Sequence, residues 1–152
     1  MNISFCCVIG HRKIDITKRS YVKAELKQEI KKAIQDGYTN FISGFSPGTD
    51  LMFADIIVEL QRKYPINLIA YIPYVNIMKT KNRTFQNLIY KCNSIKIYSE
   101  YYAPFCFIRR SQLMVQNSRR VIAVYDGRQK GGTINTINYA RKLGRDLKII
   151  EI

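Results

Sequence analysis

Short apolar runs alternate with stretches of helical periodicity from one end of this chain to the other. Ile3 to Ile9 is continuously apolar, the pattern of a strand buried on both faces. Val22, Leu26, Ile30, Ala33 and Ile34 then recur at helical spacing, and Gly37 supplies a C-terminal stop. Thr39 to Ser43 reads as a second strand. A second helix runs from about Asp50 to Lys63 on the stripe Leu51, Ala54, Ile57 and Val58, with Pro65 just beyond it. Ile66 to Ile72, ended by Pro73, is a third strand. Asn76 to Asn93 is polar and basic at first and becomes helical through Phe85, Leu88 and Ile89. Strand Ser94 to Tyr98, a loop to Pro104, helix Phe105 to Asn117 and strand Arg120 to Tyr125 follow. Helix Thr133 to Leu143 and strand Leu147 to Ile152 complete the series.

Such alternation builds an α/β domain: a mostly parallel sheet of about six strands with helices on both faces, in three layers. No internal repeat, low-complexity tract or linker interrupts it, so residues 1–152 are expected to form one domain. Ligands of such sheets bind beyond the carboxyl ends of the strands, near the point where strand order reverses. The loops after the first, second, fourth and fifth strands are therefore where chemistry is expected.

The loop after the fifth strand is the most specific of these. Asp126-Gly127-Arg128-Gln129-Lys130-Gly131-Gly132-Thr133 places glycines between a strand and a helix, so that first-turn N–H groups can meet an anion. Thr133 is expected to cap that helix, with Thr136 one turn on. After the second strand, Ser43-Gly44-Phe45-Ser46-Pro47-Gly48-Thr49-Asp50 repeats the arrangement. Thr49 or Asp50 would cap the helix there; alternatively Asp50 accepts a ribose hydroxyl and Ser43 adds a hydroxyl contact. Gly10-His11-Arg12 follows the first strand. Arg12 could clamp a phosphate, and His11 could hydrogen-bond a ribose or carry a proton. Tyr101 and Tyr102 could stack on a base or simply pack, and Arg109 or Arg110 could reach the site or stay on the surface. Neither the Walker A spacing nor G-x-G-x-x-G occurs, which argues against ATP hydrolysis and hydride transfer.

Charge sharpens the ligand class. With 25 Lys and Arg against 11 Asp and Glu the formal charge is +14, which attracts anions and polyanions and says nothing of fold. Lys23, Lys27, Lys31 and Lys32 fall on one helix and read as a solvated face in preference to a nucleic-acid stripe. Cys6, Cys7, Cys92 and Cys106 lack metal-site spacing, and His11 is the one histidine, so the cysteines read as reduced core residues of a cytoplasmic protein. No apolar run approaches the roughly 18 residues needed to span a bilayer, and the N-terminus has no basic leader, so no membrane partner is expected.

In this order the motifs resemble the YpsA-like branch of the SLOG superfamily, which also holds LOG-type phosphoribohydrolases and the DNA-processing protein DprA. The matching stretches are Val8 to Arg12, Phe41 to Asp50, Met114 to Ser118, Val121 to Gly127 and Gly131 through Ala140. The resemblance implies a Rossmann-like fold and a pocket for nucleotides or nucleotide-derived signals. It carries onto Gly10, His11, Arg12, Ser43, Gly44, Gly48, Asp50, Asp126, Gly127, Gly131, Gly132 and Thr133; Tyr102 and Arg109 join them from the residues alone. Gln116 and Arg119 stand where the family often has Asp. LOG enzymes carry a glutamate shortly after the glycine loop, whereas Ile134 to Asn138 contain no acid. The chain therefore reads as a binding module that senses or sequesters an ADP-ribose-like or cyclic nucleotide, with no cofactor and no metal. A sequestering role fits a phage or mobile-element origin. A nucleotide N-glycosidase and a DprA-like nucleic-acid binder are the alternatives, and a homo-oligomer is expected because relatives of this fold often associate through helices.

Overall fold

The computed structural model describes residues 4–152, so the expected start of the first strand at Ile3 lies outside the described residues. Strands β1 (Phe5–Gly10), β2 (Asn40–Ser43), β3 (Asn67–Ile72), β4 (Ser94–Ile97), β5 (Arg120–Tyr125) and β6 (Asp146–Glu151) form one sheet in the order β4-β3-β2-β1-β5-β6. All five ladders are parallel. Helices α1 (Arg19–Gln35), α2 (Thr49–Leu60), α3 (Arg83–Ile89), α4 (Cys106–Gln116) and α5 (Gly132–Lys142) make the crossovers. Strand ends agree with the periodicity to within a residue or two. The ambiguous stretch resolves into a 3-10 turn, Val75–Lys79, and α3, whose first turn is capped by Asn82 Oδ1 accepting from Phe85 N–H at 3.1 Å.

The continuous apolar strands are explained by two cores, one on each face of the sheet. Cys6, Val8, Phe41, Leu68 and Ala70 pack with Val22 and Leu26 of α1, Phe53 and Ile57 of α2, and Phe85 of α3. Cys7, Ile42, Val121 and Ala123 pack with Met114 and Val115 of α4 and Ile137 and Ala140 of α5. Adjacent Cys6 and Cys7 thus serve opposite faces, as strand alternation requires. At the opposite end of the sheet from the site, Arg120 is held between Asp36 (2.7 Å) and Asp146 (2.9 Å), joining α1, β5 and β6. Among the described residues, no helix is long and apolar enough to cross a membrane.

From β1 the chain steps outward to β4, then returns to lay β5 on the other side of β1. Strand order therefore reverses between β1 and β5, and the crevice opens over their carboxyl ends. β4 is an edge strand three positions from β1, which moves the loop after it away from the crevice.

Candidate functional site

The loops after β1 and β2 interlock beneath the crevice. Thr49 donates both its N–H (3.1 Å) and its hydroxyl (2.9 Å) to the His11 carbonyl. Gly10 permits this approach by lacking a side chain, since a Cβ there would lie 2.5 Å from Thr49 Oγ1. Gly48 has φ +81°, and its Cβ would stand 2.4 Å from the Arg12 carbonyl oxygen. Gly127 also has a positive φ, +89°, but faces open space. Gly48→Ala should therefore cost backbone strain plus overpacking, about 2–6 kcal/mol, against about 1–3 kcal/mol of strain for Gly127→Ala. Urea unfolding of the two variants checks the difference.

His11 ties this unit to the start of α5. Its Nε2 accepts the Asp126 N–H at 3.0 Å, and its Nδ1 lies 3.3 Å from Thr133 Oγ1. With Nε2 accepting from that N–H, the Nδ1 side of the ring faces the Thr133 hydroxyl, which can donate or accept. Burial pushes the His11 pKa down and the Asp126 carboxylate partly offsets this. Both nitrogens are engaged inside the protein, so the ring reads as a strut between β1 and α5, not as a free proton carrier. The Asp126 carboxylate serves both sides of its loop: Oδ1 lies 3.2 Å from His11 Nε2, and Arg128 Nε donates to both oxygens at 3.0 Å. Hydrogen bonding from Arg128 holds its pKa down to about 2.

Neither expected helix cap forms. Helix α2 has Gly48 at its N-cap and α5 has Gly131, each without a side-chain bond to the first turn. Thr49 and Thr133 sit inside the helices, and their hydroxyls are drawn to His11, which offers buried partners across the crevice. Asp50 lies in the first turn of α2, but its Oδ2 accepts from Ser46 N–H (3.2 Å) in the preceding loop. The fully buried Ser43 hydroxyl donates to the Asp50 carbonyl (2.8 Å) and accepts from Phe45 N–H (3.2 Å), so it braces the turn.

Above these loops lies a cleft of about 450 Å³, within the roughly 300–1,000 Å³ of small-molecule sites. Gly10, His11, Arg12, Asp50, Gly132 and Thr133 line it, and Thr136 joins them from the next turn of α5. The charged lining is Arg12, Lys13, Arg110 and Arg128 against the single carboxylate of Asp50. The Arg12 guanidinium lies over the Phe107 ring, 4.5 Å from its centre. Burial pushes the Asp50 pKa up to about 6, with Arg110 and Arg12 partly offsetting it. Gly44 and Gly48 of the β2–α2 turn and Gly127 and Gly131 of the β5–α5 loop do not themselves line the cleft.

Two expected residues lie elsewhere. Arg109 is exposed and does not line the cleft; its neighbour Arg110 does, at 4% exposure. Arg110 Nη1 donates to the carbonyls of Gly44 and of Tyr71 (3.1 Å), and Nη2 to Ser46 Oγ (3.2 Å). Its position follows from α4 burying one stripe, Cys106, Arg110 and Met114 at four-residue spacing, which the sequence displays and which selects Arg110 over Arg109. Tyr102 is 62% exposed and meets Tyr74 edge-on (5.6 Å between centres) outside the cleft, because β4 is an edge strand.

A six-stranded parallel sheet with helices on both faces and a crevice at its switch point defines a Rossmann-like α/β fold. The family model YpsA, described as the YspA SLOG family, matches residues 6–150, and the chain belongs to that family. A UPF0398 protein of Oceanobacillus iheyensis is 22% identical over 149 residues, covering 92% of this chain and 79% of that one. A UPF0398 protein of Listeria monocytogenes is 24% identical over 132 residues, covering 81% and 71%. Among solved structures, DNA processing protein A of Helicobacter pylori, described with a single-stranded DNA binding mode, superposes with a TM-score of 0.71 at 18% identity. The match covers 95% of this chain and 64% of that one, so the chain spans less than two thirds of that protein. The protein TM1055 superposes with a TM-score of 0.58 at 17% identity over 95% of this chain and 72% of that one. These likenesses establish the fold.

Proposed function

We propose that the protein binds a nucleotide-derived small molecule, its phosphate at the start of α5 and its sugar toward Asp50. The observation that carries this reading is the cleft wall itself: the first turn of α5, uncapped by any side chain, faces Arg12, Lys13, Arg110 and Arg128 across one cavity. Asp50 is the one acid in that wall, a poor neighbour for phosphate and a good acceptor for ribose hydroxyls. Binding is favoured over N-glycoside cleavage because the α5 start has no acid and Asp126 is committed to Arg128. A thermal-shift and urea screen with nucleoside phosphates, ADP-ribose and cyclic nucleotides tests the reading. A ligand at about 100 times its Kd should add roughly 2.7 kcal/mol of stability, and a flat response across the panel would refute it.

A second reading, single-stranded nucleic acid, is favoured by a broad groove that continues from Arg12 past Lys13, Arg19 and Lys23, and by the fold shared with DNA processing protein A. If that groove binds a strand, affinity for oligo-dT should fall by orders of magnitude between about 50 and 200 mM salt. The small-molecule cleft predicts a much shallower dependence for a mononucleotide, measured by titration at both salt concentrations.

A further inference from the structure

Beside the cleft lies a smaller cavity of about 130 Å³. Its walls are mostly apolar: Phe45, Leu51, Pro73, Ile77, Phe85 and Phe107. Phe45 and Phe85 meet edge to face at 5.4 Å, which fixes the cavity's inner wall, and both rings are buried. Arg12, Ser46, Phe107 and Arg110 belong to the walls of both cavities, so the two spaces adjoin. Arg12, stacked on Phe107, stands on their border. Arg110 is nearly fully buried there and its Nε has no hydrogen-bond partner among the described residues.

We propose that this annex is a subsite for a flat aromatic ring, the nucleobase of a ligand whose phosphate occupies the neighbouring cleft. This rests on the small-molecule reading of the cleft. The annex is below the size of a whole small-molecule site, so it suits one part of a ligand. A second phosphate there would lose its hydration against apolar walls, whereas a planar ring gains from burial and from aromatic contacts. Thr80 and Asn82 also line it, and with Asn82 Oδ1 held by the Phe85 N–H the polar groups offered to ring edges are the Asn82 amide N–H and the Thr80 hydroxyl. The arrangement divides labour: cationic groups in the cleft hold charge, and the annex selects for the ring. Ile77 belongs to the annex and not to the cleft.

Isothermal titration of ribose 5-phosphate and the four nucleoside 5′-monophosphates, with native protein and Ile77→Trp, tests this. At least one nucleotide should bind the native protein about tenfold or more tighter than ribose 5-phosphate, the scale of base stacking on a protein surface. Ile77→Trp, which fills the annex, should erase that advantage and leave ribose 5-phosphate binding unchanged. If Ile77→Trp does not fold, Phe107→Ala should reduce the same advantage. Ribose 5-phosphate binding as tightly as every nucleotide would overturn the annex while leaving the cleft reading intact. So would a nucleotide advantage that survives in a folded Ile77→Trp. No binding of any of the five to native protein would overturn the annex, and the cleft reading falls with it where ADP-ribose and cyclic nucleotides also fail to bind.

Discussion

Gly132→Glu loses nearly all affinity for anionic ligands while the protein folds as before. Gly132 begins α5 and lines the cleft, and a Cβ built there meets nothing within 4 Å, so the new side chain needs no repacking. An acid in the first turn of a helix is, if anything, favourable to folding by about 0.3–1 kcal/mol. The same acid would share the cleft with a bound phosphate. Two like charges about 4 Å apart near a protein surface repel by about 4 kcal/mol, close to a thousandfold in Kd. Titration with whichever nucleotide stabilises the native protein, alongside urea unfolding of both proteins, separates the effects. Unchanged affinity in a folded variant would place the ligand away from α5. Lost stability would mean that Gly132 is needed by the fold.

Asp50→Asn should make the ligand-free protein more stable at pH 7. A carboxyl near pH 4 when unfolded is pushed by burial to about 6 in the fold. The sign follows directly. The native state disfavours the charged form, so the native protein is undiminished below pH 4, loses stability as the pH rises to about 6, and is level above that. At about 1.4 kcal/mol per pKa unit the loss approaches 3 kcal/mol by pH 7. Asparagine mimics the protonated carboxyl and can still accept the Ser46 N–H. The variant should match native protein near pH 4 and exceed it by about 2–3 kcal/mol at pH 7, read from urea unfolding at pH 4, 5.5 and 7. A variant less stable than native at pH 7 would show that attraction to Arg110 and Arg12 outweighs burial. A buried acid that weakens the fold while facing a cleft is the sort of residue retained for a ligand, and in the proposed reading it holds the ribose.

How much of the site the sequence displayed depended on whether the signal was local. Gly10, Gly48, Gly127 and Gly131 stand out because each lies at positive φ or in close approach in a turn, and Gly132 stands out beside them although the backbone there does not require glycine. Their partners did not stand out. Thr49 and Thr133 look like helix caps from local context, and only the fold brings His11 between them. Arg109 and Arg110 are equivalent until the buried stripe of α4 is followed through Cys106 and Met114. For Tyr102 the sequence left base stacking and plain packing both open, because the order of strands across the sheet, which sets which loops share a crevice, is not written in any one segment.

Periodicity alone determined the alternation of strands and helices, the parallel sheet and the loops able to meet an anion, because burial on one or two faces imposes its repeat on adjacent residues. Tertiary structure decided which of those loops meet. Laying β5 beside β1 set Arg12, Asp50, Arg110 and the start of α5 around one cavity and sent the loop after β4 to the edge. It also turned two would-be capping threonines toward one residue, Thr49 to the His11 carbonyl and Thr133 to its imidazole, since hydrogen bonds between segments far apart in sequence exist only once packing has brought them together.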